Sequence, residues 1–452
     1  MQTKEIFFSP YIKIMLLHIL LGLIIYNFKI LSFAYSALIF ACGVFFIIKN
    51  KNKNNEVLFW AGYVVAVEVF LRMTKGNIGN EFAKYCVIVF SLLGIYFNGF
   101  SKKAWIYVIF LILLIPGVIY GIYQLNFDTN IRKAIVFNLL GAICLGISSI
   151  YTIDKKIDLQ DIDTLTKWML YPIITMTLYV FLYNPDIQAV ITGTDSNSAT
   201  SGGFGPNQVS TIFGLGMFVA FVRFLFFSNS FFLKILHLLL ILVFTYRGVI
   251  TFSRGGVITG VCMILGLLFF TFFKVNIKAK IKLSFTFLIS SVSIFILFLY
   301  TIFQTDGLIL NRYQSKDALG REKESKFSGR EELAEAEFTM FLENPFTGVG
   351  VGKNKEYREE LTGIEAASHN EITRMLAEHG FIGIIELGLL FFTPIILFFN
   401  TNRNYIFLFS FYFFWLLTIN HAAMRIAAPA FIYSLTLFHF TIHEGKYSLP
   451  RQ

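Results

Sequence analysis

Charge is scarce in this sequence. Only 15% of its 452 residues are Asp, Glu, Lys or Arg, where a soluble domain carries about 25%, and 56% are apolar. That balance excludes a soluble globular protein. Cysteine is scarcer still: Cys42, Cys86, Cys144 and Cys262 lie inside apolar runs without metal-ligand spacing, so they read as small packing residues. No solenoid-type repeat is present. No RNA- or DNA-binding signature accompanies the net charge of +10, for which the positive-inside rule supplies a source, so nucleic acid is not an expected partner. No small-residue cleavage site follows the first apolar run behind Lys4 and Lys13, which is expected to be an uncleaved span.

What the sequence has is long apolar runs, with 54 phenylalanines that suit lipid-facing surfaces. A bilayer crossing needs about 20 such residues. The expected spans are approximately 11–28, 30–48, 57–73, 83–98, 104–124, 134–151, 168–184, 208–227, 231–248, 254–273, 283–303, 380–399, 405–419 and 426–443. Merging short neighbours would leave twelve. The predicted fold is all-α and polytopic, with 12–14 transmembrane helices and one large helical extracytoplasmic loop. In this reading residues 1–184 are N-terminal helices, and 185–303 are core helices with an outer loop and the "SRGG" motif. Residues 304–379 form an extracytoplasmic catalytic loop, and 380–452 the C-terminal helices.

Basic residues in short loops orient the chain. "KNKNNE" after the second span, "SKK" at 101–103, "DKK" at 154–156 and Lys274, Lys278, Lys280 and Lys282 all fall on one side, taken as cytoplasmic. Arg72, Lys75, Arg132 and Lys133 fall on the other. The same count puts three polar segments together on the extracytoplasmic face: 185–207, "TYRGVITFSRGG" at 245–256, and 304–379.

The last of these has helix grammar. Ser328 and Glu331 have capping-box spacing, Ala334, Phe338 and Phe341 recur at helical intervals, and Pro345 stops the helix after Asn344. "TGVGVGK" reads as a flexible loop. Ser368 and Glu371 repeat the capping box and open a second helix that runs to Gly380.

That second box puts His369 and Asn370 in a helical first turn, where free N–H groups and the positive dipole end gather. Such a field keeps the imidazole neutral and able to accept a proton, and it attracts phosphate oxygens. Acyl, phosphoryl and glycosyl transfer all fit, and so does a plain interfacial cap. Arg254 in "TFSRGG" is a guanidinium close to hydrocarbon, which is costly and reads as functional; the alternative is a side chain snorkelling to headgroups. Gly255 and Gly256 would let a substrate approach it. On position alone Arg330 is a solvated charge, with a bidentate phosphate clamp as the other reading.

Two motifs mislead. "GVGVG" at 348–352 does not follow a strand in a βαβ unit. "DLQDID" at 158–163 sits in a loop of about fifteen residues, too short for a nucleotide-sugar domain. No metal-ligand cluster stands out, so metal-free chemistry without a cofactor is expected.

"SHNEITRMLAEHGFIG" resembles the H-N-x9-G-x-x-G signature of the O-antigen ligase and polymerase superfamily: His369, Asn370, nine residues, then Gly380 and Gly383. "GGFGPNQVS" at 202–210, "FSRGG" at 252–256 and 329–352 resemble further segments of that family, in its order. The resemblance implies a multi-pass protein of the bacterial inner membrane with its active site on the periplasmic face. It implies an inverting glycosyltransferase whose donor is a glycan on polyprenyl (undecaprenyl) pyrophosphate. The acceptor is a hydroxyl of lipid A–core, of a growing glycan or of a protein, and membrane lipids surround the enzyme. Carried onto this chain, the motif histidine is His369, the membrane-edge arginine Arg254 and the loop arginine Arg330. Asn370, Arg247, Asn207, Gly255 and Gly256 stand as substrate-binding candidates.

A transporter or lipid flippase is the rival class. Glu68, Arg223, His237 and Glu386 fall inside expected spans, where ionisable groups often mark transport paths. The chain lacks a matched pair of Gly/Pro-broken spans in corresponding halves.

Overall fold

The computed structural model describes residues 9–191, 193–323, 330–363, 366–400 and 405–441, apart from the side chains of Arg330, Leu361 and Thr362. The fold is all-α, and a helix stands at each of the fourteen apolar runs. These are α1 (Pro10–Asn27), α2 (Leu31–Asn50), α3 (Glu56–Met73), α4 (Phe82–Asn98), α5 (Trp105–Gln124), α6 (Ile131–Thr152) and α7 (Leu159–Tyr183). They continue with α8 (Pro206–Phe226), α9 (Phe231–Ile250), α10 (Arg254–Phe272), α11 (Ile277–Gln304), α16 (Phe381–Asn400), α17 (Leu408–His421) and α18 (Ala427–Ser434). Between α11 and α16 lie α12 (Leu308–Tyr313), α13 (Arg330–Glu343), α14 (Lys353–Thr362) and α15 (Glu371–His379).

Ten of the described helices are long and apolar enough to cross a membrane: α1, α2, α5 to α11 and α16. The chain is a multi-pass membrane protein. The other apolar helices fall short for visible reasons. Glu56, Glu68 and Arg72 interrupt α3, while α4, α17 and α18 are short. The expected span at 426–443 is cut back most. Its helix tightens into a 3-10 turn ending at Leu437, and the His439 N–H then bonds the Lys155 carbonyl at 2.9 Å.

The chain forms two compact units, one of residues 1–86, 157–323 and 441–452, the other of 87–156 and 324–440. In the first, α8 packs against both α9 and α10. Gly214 on α8 faces Gly256 and Gly260 on α10 so closely that a Cβ on Gly256 would lie 2.1 Å from the Ser210 carbonyl carbon. Small residues four apart let helix backbones meet where lipid offers no hydrophobic drive. The "DLQDID" stretch is a helix start: Asp158 caps α7, with Asp161 returning the bond to the Asp158 N–H. Three of the four ionisable groups of the transporter reading are tied up in this unit, whereas Glu386, in the other unit, is buried 3.6 Å from His379 Nδ1 with no hydrogen bond among the described residues. Glu68 pairs with Arg72 at 2.7 Å. Arg223 donates to Asp163 at 2.9 Å and to Tyr11 at 3.0 Å, and His237 is hydrogen-bonded to Tyr11 and Ser228. Satisfied networks of this kind hold helices together.

In the second unit α13 ends at Glu343, just before Pro345, as expected; its expected cap, Ser328, lies outside the described residues. Ala336 and Met340 of α13 bury against Val349 and Ala377, with Tyr357 at the edge. The segment 348–352 is no flexible loop. Gly348, Gly350 and Gly352 hold φ of +65°, +90° and +90°, a region that favours glycine. The N–H groups of Val349, Gly350 and Val351 bond the carbonyls of Ala377, Glu378 and Gly117 at 2.8, 3.2 and 2.9 Å. Backbone replaces side chains as the packing surface here, which is why the run alternates glycine with valine.

Candidate functional site

The first group of candidate residues is built on the turn between α9 and α10. Phe252 sits at φ +57°, strained for a bulky residue, and such strain clusters at functional sites. Its carbonyl accepts from Arg312 Nε at 3.0 Å. Ser253 stands at the N-cap of α10, but its hydroxyl turns outward and donates to Asn207 Oδ1 at 2.8 Å, while its carbonyl takes the Ser210 hydroxyl at 2.8 Å. Arg254 follows as the first helical residue and donates to Ser315 Oγ at 3.1 Å. Arg312 reaches Asp195 at 3.5 Å, and Lys323 donates to the same carboxylate at 2.6 Å. Burial pushes the Tyr313 hydroxyl up to about 12 against the pull of Arg254 and Arg312. One guanidinium and one ammonium thus pair with a mostly exposed carboxylate, while Arg254 is held against Ser315, a set of cations suited to an anionic ligand.

Arg247, one helical turn before this elbow, is 1% exposed. Its guanidinium lies over the Phe181 ring at 3.7 Å and donates to the Asn184 carbonyl at 3.3 Å. Nε and Nη1 are buried without a hydrogen bond among the described residues, so this arginine keeps donors in reserve. The glycines divide in role. Gly256 is fixed by the helix contact with Ser210 described above, whereas Gly255 is only half-buried.

The second group lies in the other unit, on the segment leading into α15. The cap is Asn370: its side chain accepts from the Ile372 N–H at 2.9 Å. The Ser368 hydroxyl instead donates to the Asn370 carbonyl at 2.9 Å. This corrects the expected box, because His369 precedes the cap and does not sit inside the first turn. The half-buried His369 ring belongs to a segment pinned by its backbone. The Ala423 N–H bonds the His369 carbonyl at 3.1 Å, and Arg425 Nη2 donates to the carbonyls of Ala367 and Ser368 at 3.0 and 2.6 Å. Asn420 takes the Asn370 amide at 3.3 Å.

Beneath it lies a buried ionic framework. Arg358 pairs with Glu337, both essentially inaccessible, and also donates to the Ala366 carbonyl. Thr373 donates to the other oxygen of Glu337. Arg374 spans Glu371 and Glu378 on its own helix, and Glu378 accepts the Gly352 N–H at 2.9 Å. Burial raises Glu378 to about 7, opposed by Arg374. The two motif glycines have steric roles. Gly380 closes α15 at φ +61°, where a Cβ would lie 2.6 Å from Gly348 N. A Cβ on Gly383 would lie 2.4 Å from the Met375 carbonyl oxygen.

Of the expected residues, the structure brings Arg254 and Asn207 together around Ser253, and His369 and Asn370 together before α15. Arg330 opens α13, and its side chain lies outside the described residues. Sequence reasoning missed Arg312, Arg425 and Arg358. Arg425, in "NHAAMRIAAPA" between two apolar runs, carried the signal that singled out Arg254, a guanidinium at the edge of hydrocarbon. Arg312 and Arg358 sit in polar surroundings that hid them.

Residues 237–388 match the family model described as O-antigen ligase, an interval that contains both Arg254 and His369. No curated protein and no solved structure matches the chain.

Proposed function

We propose that this chain, whose residues 237–388 match the family model described as O-antigen ligase, is a metal-independent, inverting membrane glycosyltransferase of the O-antigen ligase and polymerase superfamily. It moves a glycan from polyprenyl pyrophosphate to the hydroxyl of lipid A–core, on the periplasmic face of the bacterial inner membrane. The observation that carries this reading is that one family match covers both the cationic elbow at Arg254 and the pinned histidine segment.

The acceptor hydroxyl attacks the anomeric carbon from the side opposite the pyrophosphate. The new C–O bond forms as the bond to the leaving phosphate oxygen breaks, and configuration inverts. His369 takes the hydroxyl proton, typically worth about 10²–10⁴-fold. Arg254 and Arg330, joined by Arg312 and the spare donors of Arg247, hold the pyrophosphate oxygens. Preorganised donors of that kind are worth about 3–4 kcal/mol each. Asn370 fixes the cap behind the histidine, Asn207 orients Ser253, and Gly255 leaves room at the elbow. Arg425 acts through the backbone that carries His369, so it is a positioning residue.

The test is lipopolysaccharide from a deletion strain, complemented with wild type or His369→Ala. Ligation predicts that the deletion and the variant both lose all O-chain from the lipid while polyprenyl-linked glycan accumulates. Retention of a single repeat unit would replace ligation by polymerisation. Unchanged lipopolysaccharide would point to a protein or other glycan acceptor. Full complementation by a folded His369→Ala protein would remove the base.

A further inference from the structure

The helices α8, α9 and α10 that meet at the cationic elbow also surround, together with α11, a cavity at their far ends. The helix α9 is 20 residues long, about 30 Å at 1.5 Å per residue, so the two ends of α9 and α10 are separated by roughly one hydrocarbon thickness. At the far end the last turn of α8, the first turns of α9 and α11 and the last turn of α10 surround a cavity of about 280 Å³. Its polar lining includes Asn229, Thr271, Thr286 and two lysines, Lys234 and Lys282.

Its charge is one-sided. From residue 196 to 305 the chain contains no Asp or Glu, while Lys274, Lys278 and Lys280 stand beside the two lining lysines. No carboxylate from these four helices competes for the ammonium groups. On a face about a third of a turn round the helix from the cavity lining, α11 exposes Phe285, Leu288, Val292, Ile296 and Leu299, a stripe at three- and four-residue intervals that faces lipid. Cations and hydroxyls at the helix ends, with an apolar stripe running from them into the bilayer, match the two halves of one molecule.

We infer that this cavity binds an anionic glycerophospholipid of the bilayer. Its phosphate lies between Lys234 and Lys282, and its acyl chains run along α11. Basic pockets between membrane helices recognise such headgroups. Topology-setting charge alone explains an excess of lysine at this end, but it does not explain why two of the lysines line a cavity. The site lies at the opposite end of α9 and α10 from Arg254, so it is separate from the proposed donor site and does not depend on that reading.

The test uses full-length protein in nanodiscs of phosphatidylethanolamine with a minor fraction of phosphatidylglycerol, and reads retained lipid by native mass spectrometry. Two doubly substituted proteins remove equal charge: Lys234→Gln with Lys282→Gln inside the cavity, and Lys278→Gln with Lys280→Gln outside it. All four lysines are at least partly exposed, and thermal melts confirm that both proteins fold. The expected result is a loss of retained phosphatidylglycerol of about thirtyfold for the cavity pair, at about 1 kcal/mol for each lysine and tenfold per 1.4 kcal/mol, with the outer pair near wild type. Equal loss in both proteins would overturn the site in favour of a diffuse basic surface. No loss in either, or displacement of the lipid by millimolar inorganic phosphate alone, would overturn it as well.

Discussion

Replacing Arg358 by methionine tests whether the ionic framework under the histidine segment holds it in place. Arg358 is 0% exposed, and its guanidinium joins Glu337 of α13 to the Ala366 carbonyl three residues before His369. Methionine fills much of the volume and takes away the charge, leaving the Glu337 carboxylate buried with the neutral hydroxyls of Thr373 and Ser368 beside it. Breaking one partner out of a buried pair costs about 3–5 kcal/mol. Burial already raises the Glu337 pKa, and Arg358 is the largest influence lowering it. In the variant that restraint is gone, so Glu337 takes up a proton more readily and escapes part of the penalty in acid. The penalty should therefore be larger at pH 8 than at pH 5. Unfolding free energies in mixed micelles at the two pH values measure this. Adding Glu337→Gln to Arg358→Met should recover about 2 kcal/mol, because replacing a whole buried pair costs far less than orphaning one member. A single-variant loss under about 1 kcal/mol, no recovery in the double variant, or a larger loss at pH 5 would each refute the reasoning.

Further outcomes can be stated for the site and its scaffold. Arg254→Lys keeps the charge but loses the planar fork, and transfer should fall by about 10²-fold, measured as kcat with lipid-linked donor; an unchanged rate would mean the arginine only anchors to headgroups. Glu378 has its folded pKa raised from 4.5 to about 7, so it favours the protonated folded state, and its contribution is present below about pH 4.5 and lost as pH rises through 7. Stability should thus decline across that window in wild type and decline less in Glu378→Gln; an equal slope in both proteins would contradict the assignment. Gly380→Ala, at positive φ with backbone 2.6 Å from the new Cβ, should cost at least about 1–3 kcal/mol and lower the melting temperature, whereas an unchanged melt would show that the turn between α15 and α16 relaxes freely.

Much of this was legible in the residues, because hydropathy reports burial in lipid directly and every apolar run became a helix. Helix α13 was found through the spacing of Ala334, Phe338 and Phe341 and the stop at Pro345, but its packed face is Leu333, Ala336 and Met340, and Phe338 is exposed. Helix α14 was not, since "KNKEYREELT" has no apolar face. Its inward residues are Asn354 and Arg358, and hydrophobic periodicity cannot see a helix that packs through an ion pair. The cap of α15 was misplaced by two residues because Ser368 and Asn370 are both good caps, and the choice fell to a hydroxyl that prefers a carbonyl. Arg312 and Arg425 stayed hidden because their partners include backbone carbonyls about sixty residues away, which no local spacing encodes.

The glycine run at 348–352 bears on turnover. Its amides are spent on α15 and on Gly117 of α5, and Glu378 closes the last of them. A hinged flap needs loosely held main chain, and here the main chain is itself the mortar. Gating by this stretch would require breaking several buried bonds per cycle, so the run is not a lid over the histidine segment. Hydrogen exchange at Val349 and Val351 should accordingly be as slow during catalysis as at rest.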